Sequence, residues 1–287
     1  MSAGPAAAPS GAGHPVPQGA RLLAPVAVDG TRLRAALWTA EGARGTVLIF
    51  PGRTEYIEKY EDVAARLTAR GLNAVAIDWR GQGASDRPGW QPLMGHVDDF
   101  AEFQRDVAAL LALPEVAALP GPRILLAHSM GGAIGLRALL GGLDVAGAVF
   151  SAPMWGIHFA PAILRPVSRV LAELGTALGL GRRFAPGGGP VTYVAEQEFD
   201  GNRLTSNPAE YARLQAFAEA HPEMTLGGPS FAWVRAAFRE MAALHRAPRP
   251  TLPIRVFLGG AEEIVDPAAV RNLTARLPAA KLVPLTG

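Results

Sequence analysis

At 287 residues, the chain is long enough for one large α/β domain or about two average ones, and its 49% apolar content allows a sizeable core. The absence of cysteine excludes disulfides and thiolate metal sites. A net charge of +2, carried by arginines that are scattered rather than clustered, offers no footprint for nucleic acid.

The first 20 residues are rich in Ala, Gly, Pro and Ser, too poor in large side chains to order themselves, and read as a flexible tail. They lack the basic start and apolar run of a signal peptide, and no later apolar run approaches the ~18 residues that span a bilayer, so a cytoplasmic protein is expected. Residues 22–28 and 33–38 flank the turn pair Asp29-Gly30 and predict a β-hairpin. The apolar run 46–50 is a strand buried on both faces, followed by a helix over 61–69. A strand over 73–77 ends in Asp78-Trp79-Arg80-Gly81-Gln82-Gly83, and a helix covers about 98–113. Asp78 and Arg80 are read as structural, fixing the loop after their strand.

Residues 123–126 form the next strand. It breaks at Ala127-His128-Ser129-Met130-Gly131-Gly132, and 133–140 continue as a helix. A strand that turns into a helix within a few residues forces the residue at the bend into a strained conformation and needs small neighbours on either side. That is the pattern of a nucleophile elbow, with Ala127 where Gly is more usual, and it makes Ser129 the candidate nucleophile. A strand over 145–150 ends at Ser151-Ala152-Pro153-Met154. The alternation predicts an α/β fold with a mostly parallel sheet and helices on both faces, whose site lies beyond the carboxyl ends of the strands.

From 155 to about 250 the strand pattern gives way to helices over 161–180, 208–220 and 231–244, read as a cap inserted after the strand ending near Phe150. Core segments are therefore expected at 21–154 and 251–287. The cap's apolar faces pack on each other, line an acyl pocket or touch a membrane surface. The sheet resumes at 254–258. Gly259-Gly260-Ala261-Glu262-Glu263-Ile264-Val265-Asp266 follows, then a helix over 267–277 and a last strand over 281–285.

The strand-end segments are Phe50-Pro51-Gly52-Arg53-Thr54-Glu55-Tyr56-Ile57-Glu58-Lys59-Tyr60, 78–85, 127–132, 151–154 and 259–266. Together, from about residue 22 onward, they resemble the α/β-hydrolases of the monoacylglycerol lipase and lysophospholipase group. Gly52-Arg53-Thr54-Glu55-Tyr56 and Glu58-Lys59-Tyr60 resemble its bacterial lysophospholipase branch in particular. The resemblance implies a serine carboxylic-ester hydrolase acting through an acyl-enzyme at Ser129, without metal or organic cofactor. Its oxyanion donors would be the backbone N–H groups of Arg53 and Met130. Its substrate would be a lysolipid or another small ester, met at the inner membrane face through the cap. Glu262 stands where relatives carry the triad acid. Asp266 is the alternative acid, although Asp266-Pro267 also suits a helix N-cap. Chain order in this fold is Ser, acid, His, with the His after the last strand. The histidines are His14, His96, His128, His158, His221 and His245. None follows Lys281, so the chain is expected to stop just short of its base. His128 should point away from its neighbour's hydroxyl, which leaves a cap histidine as the substitute base. A general esterase on the same fold and a non-catalytic protein holding an apolar ligand are the competing expectations.

Overall fold

The computed structural model describes residues 13–286. Eight strands form one sheet: β1 (Arg21–Leu23), β2 (Arg34–Trp38), β3 (Thr46–Phe50), β4 (Asn73–Asp78), β5 (Arg123–His128), β6 (Gly147–Ser151), β7 (Ile254–Gly259) and β8 (Ala280–Leu285). Their order is β1-β2-β4-β3-β5-β6-β7-β8. The first two pairings are antiparallel and the remainder parallel. The chain steps from β3 outward to β4, then returns past β3 to β5. The strand order therefore reverses between β3 and β5, the place where a crevice opens at the carboxyl ends of a parallel sheet.

The helices are α1 (Glu61–Thr68), α2 (Ala101–Ala112), α3 (Pro114–Ala117), α4 (Met130–Leu140), α5 (Leu164–Ala177), α6 (Tyr193–Glu196), α7 (Pro208–Ala220), α8 (Phe231–Arg246) and α9 (Pro267–Ala275). On one face of the sheet, Phe103, Val107, Ile134, Leu136, Phe238, Met241 and Leu273 from four of these helices join Leu48, Val75, Leu125 and Phe150 in the main core. On the other face, Ala64 of α1 packs with Val47, Ile49, Ala74 and Ala76. Beyond α1, Ile124, Leu126, Val149 and Phe257 line that second face only half-buried.

Three local findings refine the sequence reading. The hairpin turn sits at Ala27 to Thr31, with Gly30 at φ +85°, and its strands are shorter than predicted. The Asp29 carboxylate of that turn accepts from Thr31 N–H within it and from Arg80 and Arg105 outside it. Most of the predicted tail, residues 1–12, lies outside the described residues, but the remainder is pinned: the Trp38 indole donates to the Gln18 carbonyl at 3.0 Å, and Gln18 N–H to Glu61 at 2.8 Å. Between β6 and β7, α5 to α7 lie outside the main core. The buried face of α8 belongs to it, and Glu240 takes a bidentate pair from Arg137 of α4. Asn207 and Ser230 cap α7 and α8 through their side chains, which explains why those two helices start where the sequence places them.

Candidate active site

Ser129 stands between β5 and α4 at φ +48°, ψ −117°, outside the usual range for a residue with a side chain. The bend is held from both sides. Ser129 N–H donates to the Ser151 carbonyl at 3.0 Å, and its own carbonyl accepts from Gly132 and Met154 N–H, both at 2.8 Å. Close approach requires the glycines. A Cβ on Gly131 would lie 2.1 Å from the Phe50 carbonyl oxygen, so the first turn of α4 rests directly on the end of β3. Ala127 is accommodated because Gly135, one turn into α4, faces it; a Cβ there would come within 3.3 Å of the Ala127 methyl. The extra methyl that separates this elbow from the commoner Gly form is absorbed by a residue on the helix.

The loop after β3 is tied down residue by residue. Its Pro51 carbonyl accepts from the Trp79 indole at 2.9 Å, Gly52 N–H donates to Glu55 Oε2 at 2.5 Å, and Thr54 N–H donates to the buried Gln82 side chain at 2.5 Å. Arg53 N–H lies between those two anchored amides and has no acceptor among the described residues. Met130 is the first residue of α4, where a helix leaves its N–H groups without partners. Two free N–H groups thus flank the elbow.

Glu55 is the central group of this region. Its buried carboxylate also accepts from the Tyr60 hydroxyl at 2.6 Å and from the Lys59 ammonium, and His128 Nε2 lies 3.6 Å away. Burial by itself would raise the Glu55 carboxyl; Lys59 and His128, with the hydrogen bonds from Lys59 and Tyr60, outweigh it and lower it to about 2. The charged form is therefore the one built into the loop. In the sequence Glu55 stands out only as one residue of the 50–60 segment. Its spacing to Lys59 and Tyr60, on one helical turn, is the signal that would have found it.

Asp78 and Arg80 both bind locally. Asp78 accepts from Ile57 and Ala84 N–H and from Arg34, which also reaches Glu58. Arg80 pairs with Asp106, Asp29 and Glu102. These contacts make the loop after β4 a buttress for the loop after β3.

After β7, the half-buried Glu262 accepts from Ile264 and Val265 N–H at 2.8 and 2.9 Å, closing a short turn on itself. Asp266 caps α9 by accepting from Ala268 and Ala269 N–H, and it also pairs with Arg165 at 3.1 Å. That leaves Asp266 committed to its helix. Among the described residues no histidine side chain bonds to the Ser129 side chain. His128 Nδ1 is 3.0 Å from the Ser151 carbonyl, His96 meets Ser230, His245 meets the Trp155 carbonyl, and His14 and His221 face Glu223. His158 joins the Glu262 turn through its backbone, donating N–H to the Ile264 carbonyl at 2.9 Å. Among the described residues the Ser129 hydroxyl has no hydrogen-bond partner, and no cluster of three or more His, Asp or Glu could hold a metal.

The chain is 34% identical to lysophospholipase L2 of Escherichia coli (strain K12) over 220 residues, 72% of this chain and 60% of that protein, so it spans less than two thirds of that relative's length. It is 28% identical to the monoacylglycerol lipase of Mycolicibacterium smegmatis over 253 residues, covering 87% of this chain and 82% of the relative. The fold is that of the α/β-hydrolases. A soluble variant of the Saccharomyces cerevisiae monoglyceride lipase, solved with a substrate analog, superposes with a TM-score of 0.68 at 21% identity over 94% of this chain and 89% of the other. Residues 41–283 match the model of the family described as serine aminopeptidase, S33, and the chain belongs to that family of α/β-hydrolases.

Proposed function

We propose that the chain is a serine carboxylic-ester hydrolase of lysophospholipase or monoacylglycerol lipase type. The observation that carries this reading is a strained Ser129 at the elbow, with the backbone N–H groups of Arg53 and Met130 left without an acceptor among the described residues. In the reaction, Ser129 Oγ attacks the ester carbonyl and the carbonyl oxygen gathers negative charge between those two donors. The alcohol then leaves, and water hydrolyses the acyl-enzyme. Glu262 is the triad acid in this scheme. Asp266 is less suited, since its carboxylate already caps α9 and pairs with Arg165. The scheme needs a histidine to take the serine proton, and none of the six in the sequence is placed on Ser129. Residues 1–287 alone are therefore expected to turn over esters slowly or not at all, retaining only what the oxyanion donors supply. A non-catalytic pocket for an apolar ligand is the second reading, favoured by that unpartnered hydroxyl.

The substrate reading extends to a lipid surface. On α5 and just before it, Ile163, Leu164, Val167, Val170, Leu171 and Leu174 are exposed, Ile163 by 65%, with Arg165 and Arg169 between them. Such a face suits shallow docking on anionic lipid at the cytoplasmic face of a membrane. Among the described residues no helix is long and apolar enough to cross one.

The test is hydrolysis of a short p-nitrophenyl ester by this chain and by Ser129→Ala, with and without added imidazole. A slow, Ser129-dependent rate that imidazole raises is expected. Rapid Ser129-dependent turnover without imidazole would remove the missing-base argument, and a rate indifferent to Ser129 would remove the hydrolase reading.

A further inference from the structure

The guanidinium of Arg53 is held differently from those of Arg34, Arg80 and Arg87. Arg34 is held by Asp78 and Glu58, and Arg80 by Asp106, Asp29 and Glu102. Arg87 has no carboxylate either, but its donors are taken up by the carbonyls of Gly83, Pro92, Met224 and Thr225, as expected of an arginine that ties two segments together. Among the described residues Arg53 makes one side-chain hydrogen bond, from Nη2 to the Gly227 carbonyl at 2.5 Å, out of five N–H donors. Its Nε is fully buried with no acceptor. The group lies against the Gly95 backbone, where a Cβ would come within 2.5 Å of it, and over the Trp233 ring at 5.2 Å. Among the described residues no carboxylate pairs with it, and burial pushes its pKa down to about 10.

A half-buried cation with one hydrogen bond and no counter-charge is costly, and a fold keeps one only where something else repays it. The position of Arg53 indicates what that is. Its backbone N–H is one of the two free donors beside Ser129, while its side chain runs toward Gly227 and Trp233 of the insertion between β6 and β7. The guanidinium stands one side-chain length from the N–H group that would meet the ester carbonyl. We infer that the Arg53 guanidinium is a subsite for the phosphate of a lysophospholipid head group. This rests on the ester-hydrolase reading above and sharpens it, because a neutral monoacylglycerol offers hydroxyl acceptors but no counter-charge to this cation. A phosphate has the charge and the paired oxygens that a guanidinium fork takes up, and the glycerol that separates it from the acyl carbonyl spans a distance like that of an arginine side chain.

The test compares two ether lipids that contain no ester to cleave, octylglycerol ether and its phosphate monoester, so that occupancy does not depend on the triad. Binding is followed by titration calorimetry and by tryptophan fluorescence. The intact chain should bind the phosphate roughly tenfold or more tightly than the neutral ether, as expected for hydrogen bonds to a charged group. Added salt should shrink that preference. Arg53→Gln should erase it, and Arg53→Lys should keep part of it as a point charge. Equal or absent affinity of the intact chain for the two lipids would overturn the subsite, and so would a preference that survives Arg53→Gln. Inorganic phosphate binding as tightly as the phosphate lipid would also overturn it, leaving a general anion site. The comparison on the intact chain needs no variant to fold. Failure here leaves Ser129-dependent hydrolysis standing, and loss of that hydrolysis leaves these affinities unchanged.

Discussion

The two strand ends that carry the candidate nucleophile and acid are built differently. The elbow after β5 is set by tertiary contacts: Gly131 against Phe50, Ser129 bonded to Ser151, and the neighbouring loop tied by Trp79, Gln82 and Glu55. In the loop after β7 the acidic side chains bond mainly within their own segment, Glu262 to Ile264 and Val265 N–H and Asp266 to the start of its own helix, while backbone bonds from His158 to Ile264 and from Asp266 to Gly156 tie the loop to the chain after β6. A site held from several elements is costly to disturb anywhere. A side chain bonded within one turn is costly to disturb only within that turn.

The contrast predicts a graded series of effects. Gly131→Val should be the most damaging, since its Cβ collides with backbone rather than with a side chain that could move; a loss of about 4 kcal/mol or more in urea unfolding is expected. A value near zero would mean that the elbow tolerates what its packing forbids. Glu55→Leu should cost roughly 3 kcal/mol, because it strips Gly52 N–H, the Tyr60 hydroxyl and the Lys59 ammonium of a buried acceptor.

The same carboxylate predicts a pH dependence. Its folded-state pKa of about 2 lies below its ordinary 4.5, so the stability it contributes is complete above about 4.5 and is lost as the pH falls toward 2. Denaturation midpoints measured across that window should fall for the parent chain and fall less for Glu55→Gln. Parallel slopes would show that another carboxylate dominates acid unfolding.

Asp266→Ala should cost about 1 kcal/mol, the usual worth of an N-cap, and should leave the elbow undisturbed. Glu262→Gln should change stability least, by less than about 1 kcal/mol, since an amide oxygen can still accept from Ile264 and Val265. If Glu262→Gln unfolds the chain as severely as Gly131→Val, the role of the Glu262 side chain is not local to its turn and the contrast fails.

Much of this architecture could be read from residue patterns. Continuous apolar runs marked β3 to β5, small residues around Ser129 marked the elbow, and Asn207-Pro208 and Asp266-Pro267 marked two helix starts. All of these depend on neighbours in sequence: strand burial, a strained bend and a cap are each legible within a few residues. Strand order, the tie between Gln82 and Thr54, the clustering of Lys59, Tyr60 and His128 on Glu55, and the lone guanidinium of Arg53 were not legible. They depend on which distant segments the sheet brings together. A buried charge reveals its meaning only when its partners, or their absence, can be counted in space.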